Sequence, residues 1–421
     1  MKIDRLFLQE FRGIPKLEIA FDDRITVIVG RNGQGKTSIL DALATILQSI
    51  QLSWPSEGAP GLYHAPQVSV SDRRHKSNQT RVRLDFSFEK AESLGTIPVP
   101  SMLEAGYTDS SDNQQLGRYN EFWQYASAGG LAREERPLMV YYRQDRGFDA
   151  NPHATEPVDR ASTIMSSLNG QLKAISHLET WWDKRDAQEA RRVRDKDQTY
   201  RDPQLEAIRA LIKQIDGFSD VSYSSTNEPE GLYFEKLDGT MVHVSVLSSG
   251  ERSFIILLAD LARRLQTMEP GVTLAEISGI VLIDEIELNL HPAWQSKIIT
   301  TLQSVFLKCQ FVITTHSPQV VSAVESDHVR ALSTRDDGEI EAKTPLRTKG
   351  QTSNYLLEGV FEADERLPEV AGMFDQFNIA IESKNLRQAK SILAKISKSI
   401  EGDPPELLVL RKRLKQLGDA A

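Results

Sequence analysis

Residues 30 to 37 read GRNGQGKT, and this octet constrains the chain more than any other stretch. It satisfies GxxxxGK[ST] and lies between a continuous apolar run, ITVIVG, and a segment, KTSILDALATIL, whose apolar residues recur at three and four positions. Strand, glycine-rich turn and helix is the order a phosphate cradle needs. Backbone N–H groups turn inward around the phosphate oxygens, and the helix dipole adds positive potential at the same place. Gly30, Gly33 and Gly35 permit the turn, with Arg31, Asn32, Gln34 and Ser38 beside it. Lys36 is expected on the β and γ phosphates, and Thr37 is expected to offer a hydroxyl to magnesium, a cation that prefers hard oxygen ligands. ATP and Mg2+ are the expected ligands.

In ISGIVLIDEIE, the apolar Ile280 to Ile283 directly precede Asp284 and Glu285. Two carboxylates therefore emerge at the end of a buried strand, where α/β sheets bind ligands. Asp284 suits the magnesium shell, and Glu285 suits accepting a proton from an attacking water. About 250 residues separate Lys36 from Asp284, more than a compact nucleotide domain needs, so large segments are inserted between them. VLSSGERSF puts Ser248, Gly250 and Glu251 ahead of a strongly apolar helix, a second anion site of the helix N-terminal kind. One nucleotide cannot readily use both glycine-rich turns of one chain, but an inverted second copy can supply this one across an interface. QFVITTHSPQV ends a further buried strand with His316, placed to reach a γ-phosphate.

KIDRLFLQEF and KLEIAF alternate as a hairpin-like edge, while RVRLDFSFE and PLMVYYRQ read as strands. Gln51 to Thr80 reads as loop with one short strand, and residues 94 to 135 show no long periodic segment. The charged stretch WWDKRDAQEARRVRDKDQTYRDPQLEAIRALIKQI reads as helical, and strand chemistry resumes after it with a turn at Asp238 and Gly239. SFIILLADLARRL, ISGIVLIDE, AWQSKIITTLQSVF and QFVITTH alternate helix and strand, which demands a largely parallel, covered sheet. The expected fold class is α/β, a mixed, largely parallel sheet with flanking helices. Its head comprises residues 1–155 and 216–345, interrupted by a helical insertion over 156–215 and followed by a helical module over 346–421. In that module Leu407, Leu408, Leu410, Leu414 and Leu417 are spaced for burial, and before it Asp336 and Asp337 read as a turn.

A net charge of −9 argues against a wholly basic surface. It leaves the basic segments at Arg73 to Lys76, Arg191 to Arg194 and Arg411 to Lys415 open to DNA or RNA contact. The single cysteine, Cys309, cannot form an internal disulfide or a cysteine-rich metal site, and its apolar setting marks it as structural. No apolar run is long enough to span a membrane, and the start lacks a secretory pattern, so a cytoplasmic location is expected.

Taken in order, GRNGQGKT, LSSGE, LIDEIE and TTHSP resemble the ABC ATPase heads of the SMC, RecF and OLD group, over about residues 1 to 335. The resemblance implies slow, regulatory hydrolysis of ATP to ADP and phosphate by a homodimer or higher even oligomer. It places Ser248 and Gly250 on the γ-phosphate of the opposite subunit and makes His316 the switch histidine. Gln144, in YYRQDR, becomes a candidate Q-loop residue facing nucleotide and metal, with Tyr142, Arg143 and Arg146 as alternatives. Asn289 and His291, in ELNLHP, fall near the dimer seam, although usual members often carry an aspartate near here.

Hook-bearing repair ATPases carry a CxxC apex on long coiled coils, which this chain lacks. OLD-type nucleases add a C-terminal TOPRIM domain, whereas the tail here is short and helical, so nuclease chemistry is expected from another chain. The layout looks like the ATPase subunits of bacterial Septu antiphage systems, which work beside an HNH nuclease. That likeness implies an ATPase that senses and regulates a partner nuclease as its heads dimerise. A RecF-like repair ATPase that binds DNA and an ATP-gated interaction scaffold with little turnover are the other open readings.

Overall fold

The computed structural model describes residues 1–54, 61–89, 99–108, 114–128, 136–144, 160–168, 174–361, 368–400, 402 and 405–419. The alternating N-terminal stretches form an antiparallel hairpin of β1 (Lys2–Phe11) and β2 (Ile14–Ala20), with Leu6, Leu8 and Leu17 buried. β3 (Ile25–Val29) is buried at every position, as a central parallel strand must be. It feeds through the glycine turn into α1 (Lys36–Ser53), a helix buried on almost every side. The reason is a double sheet. β1 and β2 join β4 (Gln79–Ser87) and β5 (Met102–Thr108) in a four-stranded sheet ordered β2-β1-β4-β5. Ile39, Leu43 and Leu47 of α1 share one core with Leu6 and Leu84 from that sheet and with Ile280 and Val312 from the main one.

After α2 (Gln114–Ser127) comes β6 (Leu138–Tyr142), then the helices α3 (Arg160–Ser167), α4 (Ala174–Asp195) and α5 (Pro203–Ile212). β7 (Phe218–Ser224), β8 (Gly231–Lys236) and β9 (Met241–His243) make a small antiparallel sheet, with Gly239 at positive φ in the β8–β9 turn. The alternating series then yields α6 (Ser249–Met268), β10 (Gly279–Ile283), α7 (Pro292–Val305), β11 (Cys309–Thr314) and α8 (Pro318–Ser322). A hairpin of β12 (Val329–Thr334) and β13 (Ile340–Lys343) completes the main sheet, ordered β13-β12-β3-β11-β10-β6 and parallel except for β13. Asp336 and Asp337 lie at the tip of that hairpin, where Asp337 accepts the Glu339 N–H at 2.9 Å.

Two expectations change. The helix after the cradle continues to Ser53, β4 already begins at Gln79, and between them the described residues hold a 3-10 turn at Val70–Asp72 and an isolated bridge from Arg73 to Phe11. Residues 94 to 135 contain β5 and α2, which local pattern does not reveal. MLEAGYT is poor in strand formers, and α2 carries Gly117 and several aromatics of modest helix propensity. Tertiary burial of Tyr119, Phe122 and Ala126 stabilises α2 instead, with the Tyr119 hydroxyl 2.9 Å from Ser53 Oγ.

The chain divides into two compact units, Met1–Leu356 and Leu357–Ala421, with α9 (Ser353–Gly359) spanning the division. In the second unit α10 (Pro368–Glu382), α11 (Leu386–Ser399) and α12 (Pro405–Asp419) bury a core of their own that includes Phe377, Ile396, Leu407 and Leu410. Leu414 packs at its margin, Leu408 is exposed, and the Leu417 side chain lies outside what is described.

Candidate nucleotide site

Parallel register brings four strand ends together. Tyr142 pairs with Ile283, Ile283 with Ile313, and Ile313 with Val27, so the residues that follow each strand emerge at one edge of the sheet. These are Gln144 after β6, Asp284 and Glu285 after β10, Thr315 and His316 after β11, and the glycine turn after β3.

Within that turn Gly33 and Gly35 hold φ of 83° and 87°, the left-handed region that glycine adopts without steric cost. A Cβ on Gly35 would also meet Ile14 at 2.8 Å. Gln34 folds back so that its Oε1 accepts the Arg31 N–H at 2.6 Å. Lys36 is nearly buried, and its Nζ donates to the carbonyls of Gly30 at 2.9 Å and Arg31 at 3.0 Å, so the ammonium sits across the cradle. Burial lowers its pKa to about 8, against the opposing pull of Glu285, Asp284 and Glu287. Arg31 and Asn32 are exposed at the rim, while Ser38 is half-buried on the first turn of α1.

Asp284 is buried and held from both sides. Thr37 Oγ1 donates to its Oδ2 at 2.8 Å, and Thr314 Oγ1 donates to its Oδ1 at 2.5 Å. Thr314 Oγ1 also accepts the Glu285 N–H at 2.8 Å. Glu285 has a φ of 45°, a costly conformation for a non-glycine residue. Burial first, then Glu287 and Asp284, raise its pKa, while a hydrogen bond from Gln144 counteracts them. Among the described alternatives around the Q-loop candidate, Gln144 is the one that touches the acidic pair. Tyr142 turns away to Asp260 at 3.0 Å, Arg143 pairs with Asp41 at 3.4 Å, and Arg146 lies outside the described residues.

His316 is half-buried, and burial together with the Lys36 charge lowers its pKa, favouring a neutral ring. Its backbone N–H donates to Glu287 Oε1, and the other oxygen of Glu287 accepts Thr315 Oγ1 at 2.7 Å. Glu287, Thr314 and Thr315 are contributors that the sequence reading passed over. The signal was present in IDEIE, where a third acid follows at the next alternating position, and in the paired hydroxyls of TTH. Asp41 was missed as well: on α1 it joins Arg12 of the β1–β2 turn and the Tyr141 hydroxyl at 2.9 Å, tying helix, hairpin and β6 together.

The donor set fits magnesium. Thr37 and Asp284 offer hard oxygens side by side next to the phosphate cradle, and a magnesium ion needs only one or two protein ligands beside phosphates and water. Among the described residues no cluster of three or more His, Cys, Asp or Glu could cage a metal without such help.

The second glycine-bearing turn is built differently. Ser248 caps α6 through a capping box, its Oγ accepting the Glu251 N–H at 3.2 Å and donating to Glu251 Oε2 at 2.8 Å, while Lys236 pairs with Glu251. Gly250 lies so close to the loop after β10 that a Cβ would meet His291 N at 3.1 Å and Asn289 O at 3.3 Å. Asn289 has φ 63°, and His291 caps α7. Among the described residues, no hydrogen bond joins Ser248, Gly250 or Glu251 to the cradle, Asp284 or His316.

Cradle, acidic strand end, polar β11 terminus and capped signature helix on this sheet define an ABC-type ATPase head of the SMC, RecF and OLD group. The family model described as "AAA domain, putative AbiEii toxin, Type IV TA system" matches residues 25–322, and the chain belongs to that family. Two curated relatives extend along most of the chain. "Retron Ec83 probable ATPase" of Escherichia coli is 27% identical across 88% of this chain and 78% of its own. "Septu protein PtuA" of Bacillus thuringiensis is 23% identical across 99% of this chain and 98% of its own. Of solved structures, the SMC head domain from Thermotoga maritima aligns with 82% of this chain and 99% of its own, at 16% identity and a TM-score of 0.40. Among the described residues no helix is long and apolar enough to cross a membrane.

Proposed function

We propose that ATP is hydrolysed at a composite site between two copies of this chain. The cradle of one copy, with Lys36 and residues 30 to 38, holds the triphosphate, and Ser248, Gly250 and Glu251 of the other close over its γ-phosphate. Thr37, Asp284 and Gln144 would hold magnesium, which would supply neutralisation of charge on the phosphates. Glu285 orients the attacking water and takes its proton, a role its raised pKa suits. His316 donates to a γ-phosphate oxygen, and Lys36 stabilises the charge that develops there. The observation that carries this reading is the split between the two glycine-bearing turns. The cradle already converges with Asp284, whereas among the described residues the Ser248 side chain bonds within its own cap.

The biological setting we infer is cytoplasmic antiphage defence, with ATP-driven pairing of heads governing a separately encoded HNH nuclease. The end-to-end likeness to a Septu PtuA protein supports it, because it includes the helical insertion and the tail as well as the motifs. Purification of the tagged chain from its native host tests this setting. A neighbouring-gene nuclease that co-elutes and leaves when ATP is added would agree with it; a chain that purifies alone and binds gapped duplex DNA tightly would favour a repair role.

A further inference from the structure

A second polar cleft, of about 300 Å³, opens where α3, α4, α5 and the end of α6 meet. Its wall includes Arg160, Trp181, Lys184, Arg185, Gln188 and Gln204. Two features set it apart from an ordinary solvated groove. Gln204 is 1% exposed, and among the described residues neither its amide oxygen nor its amide nitrogen has a hydrogen-bond partner. A buried amide in that condition is costly, and an adjacent donor and acceptor are what a base edge satisfies.

The second feature is segregation of charge around α4. Asp186 and Glu189 face α5 and pair with Arg209, and Asp202 holds Arg185 at 3.0 Å. Among the described residues Lys184 and Arg191 have no ion-pair partner, and Arg192 stacks on Tyr200 at 4.1 Å. Lys184, Gln188, Arg191 and Arg192 follow helical spacing of three and four, so one exposed stripe runs from the cleft toward the end of α4. Lys184 and Arg192 stand about 12 Å apart along the axis.

We propose that this cleft and stripe bind single-stranded nucleic acid. One unstacked base enters the cleft and bonds the Gln204 amide, and the following phosphates lie along Lys184, Arg191 and Arg192. The cleft volume suits one nucleoside rather than a stacked duplex, and the stripe reaches beyond the phosphate of any mononucleotide. The inference does not depend on how the heads pair.

Fluorescence anisotropy of the full chain with a labelled 12-nucleotide single strand tests it, with ATP-hydrolysis rates and oligomeric state measured on the same samples. Wild type is expected to bind with a steep salt dependence, about 0.7 logarithmic steps per phosphate contact. The triple variant K184A/R191A/R192A should weaken binding at least tenfold and flatten that slope by about 2. Gln204→Leu should weaken binding severalfold with the slope unchanged, and turnover without nucleic acid should hold in both variants. Absent binding by wild type, an unaltered slope in the triple variant, equal affinity for a blunt-ended duplex of the same sequence, or displacement of the strand by AMP at matched concentration would each overturn the proposal.

Discussion

Thr314 places two carboxylates with one hydroxyl, donating to Asp284 and accepting from the backbone of Glu285. Thr314→Val keeps the shape and removes both bonds, so ATP turnover should fall roughly 10- to 100-fold, with higher magnesium needed for half-maximal rate. Phosphate-release assays across a magnesium titration check this. Cys309 is a control at the same scale: it is fully buried and burial pushes its thiol pKa up to about 12. The reactive thiolate is therefore withheld at pH 8, below the folded value, and becomes available only when unfolding returns the thiol to its ordinary range. Iodoacetamide at pH 8 should leave the native protein unlabelled and add one group in denaturant. That Lys36, Asp284, Glu285 and His316 gather at one edge of the sheet was legible in the sequence because each follows directly on a buried strand or its glycine turn. Thr314 and Glu287 were not, since their work lies in bonds to partners about thirty positions away that only the sheet brings near.

Helix α6 joins the signature turn to the core through buried charge. Asp260 bonds Arg263, Arg264 and the Tyr142 hydroxyl, all with negligible exposure, and Tyr142 stands two residues before Gln144. Although burial opposes ionisation, the two arginines hold the Asp260 pKa well below the usual carboxylate range. Its contribution to stability is therefore present above about pH 4 and is lost as pH falls through the lower folded value. Asp260→Ala at neutral pH leaves two buried guanidiniums uncompensated and should cost about 3–5 kcal/mol in urea denaturation. At the other end of the helix, Gly250→Ala brings a Cβ to 3.1 Å from His291 N and 3.3 Å from Asn289 O, so that the loop after β10 has to shift. It should destabilise the nucleotide-free chain by about 1–3 kcal/mol. Lost turnover with unchanged stability would instead confine that glycine's role to the approach of phosphate. Periodicity announced α1, α6 and the buried strands, but β5 and α2 escaped it because their stability comes from partners rather than from their own residue choices.

At the scale of the whole molecule, the main sheet presents a cradle and an acidic pair at one edge, while the signature turn is capped and committed to its own helix. Glu285→Gln should slow hydrolysis by two or more orders of magnitude, as loss of a positioned base does. It should also hold a nucleotide-bound dimer that light scattering detects. The head architecture was legible because strand and helix alternate around fixed motifs; the proposed pairing of heads is not written in any one element and rests on two glycine-bearing turns, already visible in the sequence, that a single chain leaves apart. Subunit complementation tests that pairing most directly. Chains bearing Lys36→Ala and chains bearing Ser248→Arg are each expected to be inactive alone. Mixed in equal amounts they should recover up to about a quarter of wild-type turnover, because half the dimers are mixed and each mixed dimer holds one intact site. A mixture no more active than its two components, with mixed dimers shown to form, would contradict a nucleotide shared between two copies.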